Sequence, residues 1–301
     1  MAKIAVELEQ AVARRAATGV SGRPTERVLA KGDGWEVSDV VCTSGPRDRP
    51  FEEQHSRFAI AIVAAGSFEY RSGSGRELMT PGSLLLGNVD QSFECGHQHG
   101  VGDRCLSFHY APDYFENLAA DAGAAKPSFR GLRLPLLRAL SPLVTRACAG
   151  LARSGINGQV DTAWEELSVE LAARVVQLAG SISRRSTGTP AGAAARITRA
   201  VRLIERQPDA RLALGSLARQ ARLSPYHFLR IFERLTGLTP HQYVLRVRLR
   251  TAALRLADVE NARLKILDIA LDSGFGDVSN FNRAFHAEFG VTPRAYRRQL
   301  M

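Results

Sequence analysis

The sequence predicts a multidomain chain: an N-terminal small antiparallel β-barrel followed by helices, then a C-terminal all-α domain. Three observations predict it. Residues from about 20 to 112 run in short, alternating apolar and polar segments separated by Gly, Pro, Asp and Ser clusters, the pattern of half-buried strands joined by turns. From residue 113 apolar residues recur at i, i+3, i+4 spacing, the period of a helix. In the last third, two stretches look alike, with matching residues at an offset of 52 to 53. At 301 residues the chain has room for more than one core.

Taken in order, MAKIAVELEQAVARRAATG mixes acids, bases and apolar residues; it suits a short amphipathic helix and makes a poor signal peptide. WEVSDVVCT, FAIAIVAAGSFEYRSG, SLLLGNVDQSFECG and RCLSFHYAP follow as strands, and their spacing suggests a small barrel or sandwich over residues 1–112. The longest apolar run, Phe58 to Gly66, is far shorter than the ~20 residues of a spanning helix, so no membrane role is expected. LPLLRALSPLVTRACAGLA and TAWEELSVELAARVVQLAG carry helical stripes within a segment from 113 to 181. SISRRSTGTPAG has no period and is rich in Ser, Thr, Gly and Pro; residues 182–194 read as a linker. The helical C-terminal domain is 195–301. Four cysteines, Cys42, Cys95, Cys105 and Cys148, are too dispersed for a disulfide framework, which points to a reducing, cytoplasmic setting.

Charge separates the two parts. Residues 195–301 hold 19 arginines and lysines against 9 acids, equal to the whole chain's net +10, so residues 1–194 are balanced at 21 against 21. All but one of those 19 bases, Lys265, are arginine. Arginine is the side chain that grips phosphate and guanine bidentately, so a polyanion is the natural partner of this part.

The repeat supplies the shape for such a partner. SLARQARLSPYHFLRIFERLTGLTPHQYV, from Ser216, matches DIALDSGFGDVSNFNRAFHAEFGVTPRAYR, from Asp268, at an offset of 52 before the turn and 53 after it. Each copy reads as a short helix with a small packing residue (Ala218, Ala270), a turn, and a second helix: a helix-turn-helix. Ser224 with Pro225, and Asp277, are the expected N-caps, and Gly274 suits a left-handed turn residue. Phe228, Ile231, Phe232 and Leu235, then Phe281, Ala284, Phe285 and Phe289, form the stripes expected to bury. The opposite faces carry Tyr226, His227, Leu229, Arg230 and Arg234 in the first copy and Val278, Ser279, Asn280, Asn282 and Arg283 in the second. Arginine can pair with guanine, asparagine with adenine, and apolar groups with the thymine methyl, so these ten residues are the candidate contacts to double-stranded DNA. TPHQYVLRVRLRTAALRLAD reads as one helix from Pro240 to Ala257, long enough at 1.5 Å per residue to hold two reading helices about one duplex turn (~34 Å) apart. Arg246, Arg248 and Arg250 alternate along it and cannot all share one face.

The last ~105 residues resemble the DNA-binding domain of AraC-type bacterial transcription regulators. IALDSGFGDVSNFNRAFHAEFGVTPRAYRRQ is similar to that family's signature nearly throughout, and ARQARLSPYHFLRIFERLTGLTPHQYV to its first, less regular motif. The resemblance implies a sequence-specific regulator, not an enzyme, acting on promoter DNA near RNA polymerase in the cytoplasm. It places base contacts on Tyr226, Leu229 and Arg230, then on Val278, Ser279, Asn280 and Arg283; Leu229 stands where the family often has a polar residue. The N-terminal part resembles the cupin-type effector domain of many such regulators, RELMTPGSLLLGNVDQSFECG looking like its strand-turn-strand hairpin with Pro81-Gly82 at the turn. That implies a small-molecule or metal effector in the barrel and a homodimer formed through the helices after it. Here the helix from Thr162 to Gly180, with Leu167, Leu171, Val175 and Leu178 on one face, is the candidate, unless that stripe is buried in its own domain.

One stretch, ECGHQHGVGDRC, stands apart. On a strand Cys95, His97 and His99 share a side, and parity returns at Cys105. A hairpin there would collect Cys95, His97, His99 and Cys105, a donor set for zinc or another transition metal. Three readings stay open: a glycine-bounded turn, a metal site, or a thiol switch between Cys95 and Cys105. A cupin-type metalloenzyme fused to a DNA-binding domain is the alternative function. Its usual set of two histidines, a glutamate and a distant third histidine is absent, Asp103 being the nearest acid.

Overall fold

The computed structural model describes residues 2–124, 128–157, 163–180 and 192–300. Most of the expected linker, residues 182–191, and Thr162 lie outside them. The mixed N-terminal segment forms α1 (Ala2–Thr18). The strands are β1 (Pro24–Gly32), β2 (Trp35–Cys42), β3 (Phe51–Gln54), β4 (Phe58–Gly66), β5 (Phe68–Ser72), β6 (Gly75–Met79), β7 (Leu84–Gly87), β8 (Ser92–Gly96), β9 (Asp103–Tyr110) and β10 (Arg133–Leu134). They pair antiparallel in two sheets, ordered β1-β2-β9-β4-β7-β10 and β3-β8-β5-β6. The sheets do not close on each other, so the cupin-like unit is an open two-sheet form of the expected barrel.

Layering explains why β4 is apolar throughout. Ile60 and Ile62 face a core shared with α1, α3 (Ser141–Asn157) and α4 (Trp164–Ala179), while Ala61 and Val63 face Phe68, Tyr70 and Met79 of the second sheet. A strand buried on both faces has no polar side to alternate with. The same layering corrects two expectations. Pro81-Gly82 does form a turn, with Ser83 N–H donating to the Thr80 carbonyl at 2.9 Å. Yet β6 and β7 lie in different sheets, so it is a corner between layers and not a hairpin. Likewise β8 and β9 lie in different sheets, and residues 97–102 cross between them.

The stripe on α4 is also reassigned. Leu167, Leu171 and Val175 are at most 1% exposed inside the N-terminal core, with Leu178 half-buried beside them. Covered by its own domain, this face is not available as the dimer contact.

After α2 (Pro112–Asp121), α3 and α4, the chain continues through α5 (Ala193–Arg206), α6 (Leu214–Gln220), α7 (Pro225–Thr236), α8 (Pro240–Leu256), α9 (Ile266–Asp272), α10 (Val278–Phe289) and α11 (Pro293–Leu300). Two apolar cores divide these helices. One gathers Ile197, Val201, Leu217, Ala218, Phe228, Phe232 and Tyr243; the other gathers Leu249, Ile269, Ala270, Phe281, Phe285 and Tyr296. Leu78 and Leu136 of the N-terminal part enter the first of them, and Leu254 of α8 with Ala257 just after it enter the N-terminal core. The two parts are therefore packed together by shared apolar burial.

Candidate nucleic-acid interface

Each repeat folds as its sequence dictates. In the first, Leu217 and Ala218 of α6 are buried against Phe228 and Phe232 of α7. In the second, Ile269 and Ala270 of α9 meet Phe281 and Phe285 of α10. The turns place Arg222 at φ 53° and Gly274 at φ 91°, the equivalent left-handed positions. The Ser224 hydroxyl accepts from His227 N–H at 3.3 Å and the Asp277 carboxylate from Asn280 N–H at 2.7 Å, the expected caps. Each satisfies one of the helix's orphan amides.

The outward faces carry the residues singled out from the sequence. Tyr226 is 62% exposed, and His227, Arg230, Arg234, Ser279, Asn280, Asn282 and Arg283 are exposed. Leu229 and Val278 are half-buried. Local contacts preset several of them. Arg230 Nη1 donates to the Tyr226 hydroxyl at 3.1 Å with its guanidinium 5.8 Å from that ring's centroid, and Arg283 Nη2 sits 3.4 Å from Asn280 Oδ1. Such pairing holds the forked donor extended outward without neutralising it.

α8 joins the two units. Its Thr239 cap and Gln242 form a capping box, and its 17 residues span about 26 Å at 1.5 Å each. All three of its alternating arginines are structural. Arg248 Nε and Nη2 donate to the carbonyls of Pro208 and Ala210 at 2.6 and 2.9 Å. Arg246 donates to the Leu136 carbonyl and lies 3.4 Å from Glu288. Arg250, 3% exposed, donates from Nη2 to both carboxylate oxygens of Glu205 at 2.8 and 2.9 Å and from Nη1 to the Pro81 carbonyl at 3.3 Å.

The N-terminal part reaches both α7 and α10 at their C-terminal ends. Arg133 Nη1 donates to the Thr236 carbonyl at the end of α7 at 3.0 Å, with its Nε on Glu77 at 3.0 Å. Ser141 donates to Glu288 near the end of α10. A guanidinium on a terminal carbonyl also complements the negative end of the helix. The N-terminal turns of α7 and α10, where reading helices meet base edges, point away from these contacts.

The Cys/His stretch is assembled differently from the expected hairpin. β8 and β9 belong to separate sheets, so no hairpin forms; Cys95 and Cys105 pack in one cluster between the layers, but Cys95, His97, His99 and Cys105 do not converge as one ligand set. Instead His97 Nε2 donates to Asp103 Oδ1 at 2.6 Å, Cys105 Sγ donates to Asp103 Oδ2 at 3.3 Å, and Cys42 joins them. Cys42, His97 and Asp103 are each 5% exposed or less, and their ligand atoms all lie within 4.8 Å of one another. His99 is half-buried outside this group. All four cysteines are free thiols, so the Cys95–Cys105 bridge is not formed. Burial alone would push the His97 imidazole down, but its hydrogen bonds to Asp103 and Cys42 outweigh that and hold it up at about 10. Burial raises the Cys105 and Cys95 thiols, and the Asp103 charge raises them further. Cys42 was invisible to reasoning from the stretch alone. The available signal was register: Cys42 pairs directly across from Asp103 on β2 and β9.

Fold and site together define a two-part protein, a cupin-like sheet unit fused to tandem helix-turn-helix units on a connecting helix. The profile of the AraC-like ligand binding domain matches residues 42–168, and that of a helix-turn-helix domain matches residues 217–299. The Transposon Tn10 TetD protein of Escherichia coli is 37% identical over 98 residues, 33% of this chain and 69% of that protein. HTH-type transcriptional regulator Rv1931c of Mycobacterium tuberculosis is 34% identical over 85 residues, 28% of this chain and 32% of its own length. This chain thus spans about a third of that regulator. The crystal structure of ToxT from Vibrio cholerae aligns over 90% of this chain and 99% of its own at 14% identity and a TM-score of 0.35. The chain belongs to the AraC family of transcription regulators.

Proposed function

We propose that this protein binds promoter DNA sequence-specifically and regulates transcription under control of a signal sensed in its N-terminal part. The observation that carries this reading is the pair of outward N-terminal turns on α7 and α10, held by one rigid 17-residue helix. The span of about 26 Å suits two successive major grooves on one face of a duplex. Tyr226, Leu229 and Arg230 read one groove, and Val278, Ser279, Asn280 and Arg283 the next. His227, Arg234 and Asn282 flank them as phosphate or base contacts. The free amides of both helix starts receive phosphates.

On this reading the chain regulates and does not catalyse, works in the cytoplasm, and approaches RNA polymerase at the promoter. It acts as a homodimer through a surface other than the buried α4 stripe. A small molecule or a metal ion biases the sensing part between two states, as any such switch requires.

Footprinting of the purified protein across its own upstream region tests the reading; protection of two adjacent major-groove segments at moderate salt is expected. Arg283→Ala should relax preference at one base pair and cost about 1–3 kcal/mol on the preferred site. Equal weakening on every sequence would remove base reading from Arg283, and no protection at all would remove the function.

A further inference from the structure

We propose that Cys42, His97 and Asp103, with Cys105 beside them, form a buried site for a divalent transition metal of the zinc class, and that its occupancy reports to the DNA-binding part through residues 97–102.

The donor set argues for the metal. It offers one imidazole nitrogen, one carboxylate and two thiols, the ligands zinc takes. The three ligand atoms already lie within 4.8 Å of one another. Tetrahedral zinc with bonds of about 2.0–2.3 Å needs them about 3.3–3.8 Å apart. The convergence is built by the fold. Cys42 and Asp103 are cross-strand partners, Cys105 follows two residues later on the same face, and the crossing segment brings His97 onto them. A structural ion pair would need only His97 and Asp103; it leaves the Cys105 thiol on that carboxylate and the Cys42 thiol beside the imidazole unaccounted for. With the Asp103 carboxylate and one thiolate the dication sums to zero, so the filled buried site carries no net charge.

The route outward is short. Between His97 and Asp103 the chain passes Gly100 so close to Arg202 of α5 that a Cβ there would overlap the guanidinium. Gly102 N–H donates to the Ser44 carbonyl at 2.8 Å, just after Cys42. Arg206, one turn along α5, pairs with Glu9 of α1 at 3.1 Å. Fixing His97 on a metal therefore restrains the surface on which the first helix of the DNA-binding part rests. This coupling rests on the proposed regulatory function; the metal site does not.

The test uses the full-length, reduced, chelator-treated protein and cobalt(II) as a spectroscopic stand-in for zinc. One equivalent should give a thiolate-to-cobalt charge-transfer band and the intense visible bands of tetrahedral coordination, and zinc should displace them. Cys42→Ser, His97→Gln and Asp103→Asn should each weaken cobalt binding at least ~10-fold, while His99→Gln leaves it unchanged. Zinc should also slow alkylation of Cys42 and Cys105 in the wild-type chain, mapped by mass spectrometry, a readout that needs no variant. No cobalt–thiolate band together with no protection in folded protein would overturn the site. So would binding that survives Cys42→Ser and is lost with His99→Gln. Metal binding without any zinc effect on DNA affinity would keep the site and remove its coupling to α5. DNA binding without metal binding would remove the site and leave the regulatory function standing.

Discussion

Arg222 and Gly274 hold the same left-handed place in the two helix-turn-helix turns, but only one of them has room to vary. A Cβ on Gly274 would sit 2.7 Å from both Asp209 Cα and the Pro208 carbonyl oxygen, on top of the strain of φ 91°. Gly274→Ala should therefore cost more than about 2 kcal/mol in urea unfolding. Arg222 is exposed and already bears the left-handed cost, so Arg222→Gly should be neutral or stabilising by up to about 1 kcal/mol in the same measurement. A second residue-scale outcome concerns acid. His55 stacks on Phe93 at 4.2 Å between ring centroids, and its Nε2 lies 2.8 Å from the Tyr70 hydroxyl. Burial, then the neighbouring His109, depresses its pKa to about 4 from 6.5. The unfolded chain takes up this proton as pH falls through 6.5, while the folded chain resists until about 4. The contribution of neutral His55 is thus present above 6.5 and lost between 6.5 and 4, by at most about 3 kcal/mol. The unfolding midpoint should fall less steeply from pH 7 to pH 4.5 in His55→Gln than in the wild type.

At the level of elements, α8 is the part whose role sequence reading left least resolved. Its length and caps follow from Thr239, Pro240 and a run of good helix formers. Its alternating arginines could have faced a polyanion, and the structure turns all three into contacts that fix α8 against its neighbours. Periodicity gives a side chain's direction around its own helix but not what stands opposite, and Glu205, Pro208 and Leu136 are distant in sequence. The repeat units were legible for the opposite reason: their caps, turns and phenylalanine stripes are local and doubled. The two sheet crossings were misread as hairpins because strand signals carry no sheet membership. Glu205→Gln should strand the buried Arg250 charge and cost about 3–5 kcal/mol in thermal or urea unfolding. Replacing both by apolar residues, Glu205→Leu with Arg250→Met, should recover most of that loss.

For the whole molecule, charge and packing divide the labour. The net +10 belongs to residues 195–301, and residues 1–194 are neutral overall. DNA affinity should fall steeply with salt through counterion release. The slope of log affinity against log salt should be the same for the full chain and for residues 192–301 alone, as a filter-binding titration would show. A markedly smaller slope for the fragment would place phosphate contacts on the N-terminal part. The contacts between the parts, by contrast, are apolar residues, carbonyls and paired charges around Leu78, Arg133, Leu136 and Ser141. They grip α7 and α10 at their C-terminal ends, at Thr236 and Glu288. Vocabulary and grammar are thereby kept on opposite ends of the same two helices. The outward Tyr226, Leu229 and Arg230, and Val278, Ser279, Asn280 and Arg283, can be rewritten to address a different operator while buried Phe228 and Phe281 hold the units and the N-terminal part keeps its contacts with them.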